Sequence, residues 1–157
     1  MPSPRTISAN GIEIFLLEQG EGPLVVLCPG WPELSYAWRH QIPAIAAAGF
    51  HVAAPDMRGF GRTSAPADIN AYNIFDHVGD MVALVAALGK KRAIIVGHDW
   101  GAPVAWHAAL FRPEPQHRPQ LGTDRAMARR ANPSTVTVHC GIERFRHHRP
   151  DRRQTRR

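Results

Sequence analysis

Residues 93–106 read AIIVGHDWGAPVAW, and this stretch decides how the chain folds. The apolar run 93–96 is too short for a helix and reads as a fully buried strand. Residues 97–101, GHDWG, then make a sharp turn, and residues 102–111 resume a helix with Pro103 in its tolerant first turn. Asp99 stands at the centre of that turn, with Gly97 and Gly101 two positions to either side. Strand, turn and helix in this order suit a central residue held in strained backbone angles, because flanking glycines remove the side chains that would clash. The helix start also presents unpaired N–H groups and the positive end of its dipole to the turn, which favours an anion there.

Residues 6–8 and 12–17 flank Asn10-Gly11 and read as a β-hairpin, since Asn-Gly supplies the positive φ angles of a tight turn. Residues 24–28 form a continuous apolar run stopped by Pro29-Gly30, another strand buried on both faces. Residues 35–48 are helical in composition, with an interruption at Pro43 that restarts a segment at its first turn. Residues 51–54 make a further short strand. Ile74, Val78, Met81, Val82, Val85 and Leu88 recur at helical spacing, and Gly89 follows as a C-cap. Strands alternating with helices after one hairpin predict an α/β fold, a mostly parallel sheet with an N-terminal antiparallel hairpin.

The composition changes near Pro115. Residues 1–114 hold eight Lys and Arg against ten Asp and Glu, a net −2, whereas residues 115–157 hold eleven Arg against three acids, a net +8. The high overall charge therefore belongs to an Arg- and Pro-rich tail, read here as disordered, with residues 134–140, STVTVHC, offering one short strand. Such a tail would bind nucleic acid nonspecifically at low salt, although its Arg, Pro, His and Gln bias fits an out-of-frame reading of a GC-rich gene better than a functional nucleic-acid surface. Cys28 and Cys140 lack the spacing of a metal or redox pair, so no metal and no cofactor is expected. The N-terminus lacks the apolar stretch of a signal peptide and no run is long enough to span a bilayer, so the expectation is a cytoplasmic protein with no membrane partner.

Asp at the centre of the turn is already an anion at neutral pH and needs no base before it attacks. A Ser alkylated at carbon would become an ether that water does not readily cleave, whereas an alkylated Asp is an ester that hydrolyses back to the carboxylate. The turn therefore favours small apolar epoxides or alkyl halides as substrates.

Three blocks, CPGWPE at 28–33, DMRGFGRTSAP at 56–66 and VGHDWGAPVAW at 96–106, together with YAWRHQIPAIAAAGF at 36–50, resemble the epoxide hydrolase branch of the α/β-hydrolases over roughly residues 8–114. The resemblance implies that Asp99 is the nucleophile and that the backbone N–H groups of Trp31 and Trp100 form the oxyanion hole, acting when water attacks the ester carbonyl. It also implies a cis peptide before Pro32. Gly59 and Gly61 would shape the turn after the fourth strand. Pro29 departs from the family, which has His there.

In that family the turn 97–101 is the nucleophile elbow, and the helical cap with its two ring-opening tyrosines, the second acid and the base histidine follow the matched part, so the fold is expected to be truncated after the elbow helix. Tyr36 and Tyr72 precede the elbow and do not replace the cap tyrosines. His40, His51, His77 and His107 fall in core elements, His98 is expected to serve the packing of the elbow, and His117, His139, His147 and His148 lie in the tail. The strand 93–96, central in the family's eight-stranded sheet, becomes an exposed and aggregation-prone edge on this reading. The expected organisation is a partial hydrolase domain over 1–114, inactive alone, followed by the tail over 115–157. The alternatives are a haloalkane dehalogenase-like hydrolase, with the Trp100 indole on a leaving halide, and a noncatalytic fragment or Arg-tail nucleic-acid binder.

Overall fold

The computed structural model describes residues 1–111 and the backbone of one further strand, Thr137–Cys140. β1 (Ser3–Ala9) and β2 (Ile12–Gln19) form the antiparallel hairpin, and Asn10 and Gly11 turn it with φ of 50° and 74°. Both strands outrun their apolar residues, because the backbone ladder continues from Ala9 opposite Ile12 as far as Ser3 opposite Glu18. β3 (Leu24–Cys28) follows, then a 3-10 turn at Ser35–Trp38 and helix α1 (Gln41–Ala47), in which Pro43 occupies the first turn. β4 (His51–Pro55) leads through the loop 56–73 to α2 (Ile74–Ala87). Asn73 caps α2, its side-chain oxygen accepting the N–H groups of Phe75 and Asp76, and Gly89 ends it at φ 71°. β5 (Ala93–Gly97), the elbow and α3 (Gly101–Phe111) complete the continuous part, and β6 is Thr137–Cys140.

The strands lie in the order β1-β2-β4-β3-β5-β6. β2 is antiparallel to both its neighbours, and the pairs β4–β3, β3–β5 and β5–β6 are parallel. This is the expected mostly parallel α/β sheet with an antiparallel start. All five residues of β3 are buried, with Leu24, Val26 and Cys28 facing the α2 and α3 side and Val25 and Leu27 facing α1. The step from β3 to β4 and the return past β3 to β5 run in opposite directions across the sheet, so crossovers of one hand place α1 and α2 on opposite faces.

Two expectations about β5 need correction. The strand does not form an open edge, because β6 lies parallel along it, from Ile94 opposite Thr137 to Gly97 opposite Cys140. Nor is β5 fully buried: Ile94 and Val96 are half-buried, because α1 packs over β4 and β2 and stops short of them. The expectation of a disordered tail falls outside the described residues, apart from the four of β6.

A buried ion pair locks the loop after β4 to α2. Arg58 donates through Nε to Asp80 Oδ2 at 2.8 Å and through its other arm to Oδ1 at 2.5 Å, and Asn10 of the hairpin turn donates to the same Oδ1 at 2.8 Å. Asp80 is 0% and Arg58 5% exposed, and the carboxylate holds the guanidinium's pKa above its ordinary value. Removing one member leaves a buried charge without its partner, which costs far more than losing a surface pair. Asp80→Ala should therefore lower the unfolding free energy in urea by about 3–5 kcal/mol, and a loss under about 1 kcal/mol would contradict the clamp.

Candidate active site

Cys28 at the end of β3 lies opposite Gly97 at the end of β5, so the two parallel strands finish side by side. The chain leaves β3 towards β4 on one flank, while β5 lies on the other, which makes their shared end a topological switch point of the sheet. The turn 29–34 and the elbow 97–101 meet in that crevice.

Asp99 sits at φ 50°, in the left-handed region that a residue other than glycine rarely occupies. Local hydrogen bonds close the elbow around it, Gly101 N–H to His98 O at 2.9 Å and Ala102 N–H to Asp99 O at 3.0 Å, while His98 N–H reaches Cys28 O at 3.2 Å. The flanking glycines have steric reasons. A Cβ at Gly97 would collide with the backbone carbonyl of Gly101, and a Cβ at Gly101 would collide with that of Cys28 and lie 2.7 Å from Pro29 O. Gly30 is equally constrained, since a Cβ there would stand 2.6 Å from the Asp99 Cβ.

The carboxylate of Asp99 is exposed, and the two N–H groups singled out from sequence converge on it. Trp31 N–H donates to Asp99 Oδ1 at 3.1 Å. The backbone N–H of Trp100, then that of Trp31, hold the Asp99 carboxyl below its ordinary pKa, with a smaller contribution from His98 and against a small opposing effect of desolvation. The Trp31-Pro32 peptide is cis. Trp31 and Trp100 are 63% and 68% exposed, and both meet Asp99 through backbone N–H groups, which leaves apolar surface beside it.

His98 does not pack into the elbow as expected. Its side chain is 60% exposed and its Nδ1 lies 3.5 Å from Glu33 Oε2, bridging the elbow to the Trp31 turn. The physical reason is the sharpness of the elbow, which puts side chains adjacent to Asp99 at the sheet's end and not within it. Two further histidines have partners away from Asp99, His51 facing Glu18 at 3.3 Å and His107 lying 2.7 Å from Pro103 O, while burial lowers the pKa of His77 and His40 is exposed at the start of α1. Tyr72 donates its hydroxyl to Pro66 O at 2.7 Å, and Tyr36 is 66% exposed. Gly59 and Gly61 take φ of 81° and 56° in the loop after β4. Burial pushes the Cys28 thiol up to about 12, so it is no competing nucleophile. Among the described residues no cluster of His, Cys, Asp or Glu is placed to hold a metal ion, and no helix is long and apolar enough to cross a membrane. The tail histidines lie outside the described side chains.

Sequence reasoning missed Asp56, a buried carboxylate beneath the Trp31 turn. Its signal was an acid placed directly after a buried strand, where a charge needs a reason to be.

The family model for the alpha/beta hydrolase fold matches residues 23–117. An epoxide hydrolase of Caballeronia sordidicola is 53% identical over 108 residues, covering 69% of this chain and 33% of that protein. Epoxide hydrolase A of Mycobacterium tuberculosis is 50% identical over 112 residues, 70% of this chain and 35% of that one. Among solved structures, Epoxide Hydrolase A from Mycobacterium thermoresistibile superposes with a TM-score of 0.70 at 51% identity, over 72% of this chain and 36% of its own. An epoxide hydrolase from Vigna radiata gives 0.69 at 49% identity, over 71% and 35%. The chain thus spans about a third of the length of the curated relatives it matches. The residues matched include β3, β4, β5, the elbow and its helix, and the chain belongs to the α/β-hydrolase fold family, similar within it to epoxide hydrolases.

Proposed function

We propose that this chain carries the nucleophile and the oxyanion donors of an epoxide hydrolase reaction. The observation that supports it most is the 3.1 Å hydrogen bond from Trp31 N–H to Asp99 Oδ1, made by one of the two donors expected from sequence. With Oδ1 so occupied, Oδ2 attacks a ring carbon of the epoxide from the solvent side. The carbon–oxygen bond of the ring breaks, its electron pair leaves on oxygen, and that oxygen takes a proton from a donor or from water. The product is a hydroxyalkyl ester of Asp99.

Water then attacks the ester carbonyl, and negative charge develops on the oxygen that faces Trp31 and Trp100. Donors already aimed at that atom stabilise the charge without reorganising. The exposed indoles of Trp31 and Trp100 offer the apolar surface against which a small epoxide lies. Epoxides are preferred over alkyl halides because the similar proteins above bear the name epoxide hydrolase. The second step also needs a base on water, within hydrogen-bond reach of it. Among the described histidines, His51 and His107 are held by other partners, His77 is half-buried, His40 lies at the start of α1, and His98, beside the elbow, is paired with Glu33, so the ester is expected to accumulate.

Two measurements check this reading. Incubation with a reactive epoxide followed by intact mass should show one added epoxide on the wild-type chain and none on Asp99→Ala. An adduct that survives the substitution would contradict the nucleophile, and release of diol without adduct would contradict the stalled second step. Titrating Asp99 by carboxyl carbon NMR should give a midpoint below the ordinary 3.8. A folded-state value depressed in this way contributes stability above the unfolded pKa, and that contribution is lost as pH falls through the folded value. A midpoint at or above 3.8 would show that the backbone donors do not act on the carboxylate.

A further inference from the structure

The turn that presents Trp31 N–H is held at its start by β3 and at its far end by a residue outside the reaction described so far. Asp56 follows β4 directly and is 2% exposed. Its Oδ1 accepts the N–H of Ser35 at 2.8 Å and its Oδ2 accepts the N–H of Arg62 at 3.1 Å. The backbone of Asp56 is itself fixed, its N–H donating to Phe15 O at 2.9 Å and its carbonyl accepting the Thr63 hydroxyl at 2.7 Å. A side chain anchored so firmly makes a rigid post for whatever it holds.

What it holds is the end of the Trp31 turn. Glu33 N–H donates to Gly30 O at 2.8 Å, closing a tight turn around Trp31 and Pro32, and Ser35 lies two residues beyond that bond. A shift of Ser35 is therefore passed to Trp31 with little slack. A separate steric observation points the same way. A Cβ at Gly61 would collide with Asp56 Oδ2 and lie 3.0 Å from Leu34 Cδ2, so the loop after β4 presses on both the post and the turn.

We propose that Asp56 is a positioning residue for Asp99: by clamping Ser35 it sets the Trp31 N–H against Asp99 Oδ1. Its catalytic meaning rests on the nucleophile reading above, whereas the clamp is a matter of geometry alone. A carboxylate suits the task because each of its two oxygens takes one N–H from a different loop. Asn at this position keeps the shape but only one acceptor, and Ala keeps neither.

The test uses the full chain with Asp56→Ala and Asp56→Asn, reading amide hydrogen exchange at Trp31, exchange at Val26 in β3, and the Asp99 midpoint by NMR. Losing a hydrogen bond to a charged acceptor should speed Trp31 exchange by on the order of tenfold in D56A, leave Val26 unchanged, and move the Asp99 midpoint upward. D56N should fall between wild type and D56A. A folded D56A with wild-type Trp31 exchange and an unmoved Asp99 midpoint would overturn the proposal. Should D56A fail to fold, D56N carries the same readout, an upward Asp99 midpoint supporting the clamp and an unmoved one overturning it. If D56A or D56N moves the midpoint while the wild-type chain takes up no epoxide, the clamp stands and the nucleophile reading falls. Adduct formation with an unmoved midpoint would give the reverse.

Discussion

The register of β3 against β5 is the constraint on which the rest depends. Pairing Leu24 with Ala93 through to Cys28 with Gly97 makes two buried parallel strands end level, so their following turns must share one crevice. Shift that pairing by one residue and the side chains of β5 change faces, Ile95 leaving the α2 and α3 side for the other. The core therefore fixes where Asp99 meets Trp31. Glycine at 30, 97 and 101 follows from the same closeness, since each stands where a Cβ would meet Asp99 or a backbone carbonyl. β4 contributes the third strand end at this rim, and Asp56 leaves it directly beneath the Trp31 turn.

An exposed anion held by two backbone donors explains why the elbow accepts a strained residue. Asp99 at φ 50° carries a conformational cost. The N–H groups of Trp100 and Trp31 favour its ionised form, so strain and electrostatics act on one side chain in opposite senses. Because the donors are backbone groups, their position is set by the turn and not by side-chain identity. The indoles of Trp31 and Trp100 are then left to present apolar surface at the rim.

Local features were the legible part of this sequence. Asn10-Gly11, the helical spacing from Ile74 to Leu88 and the glycines around Asp99 each depend on neighbours in the chain, and each stands where the sequence places it. The contact of Trp31 with Asp99 was legible only through resemblance, because 68 positions separate the two. Long-range polar contacts leave no periodic trace, which is why the Asp56 clamp and the Arg58–Asp80 pair were not anticipated. His98 was misplaced for a related reason: burial at a sheet's end depends on what lies over it, not on the pattern within the strand. β6 was read as a candidate strand, but its partner could not be, since pairing between distant segments is decided by which edge is open.

The central arrangement is an ester on Asp99 with its carbonyl oxygen between two backbone donors. A crystal structure of the chain after reaction with a reactive epoxide tests it directly. Density should run continuously from one Asp99 carboxyl oxygen to the ring-opened carbon, with the other oxygen facing the N–H groups of Trp31 and Trp100. Density joined to another side chain, or an ester carbonyl turned away from both donors, would contradict it.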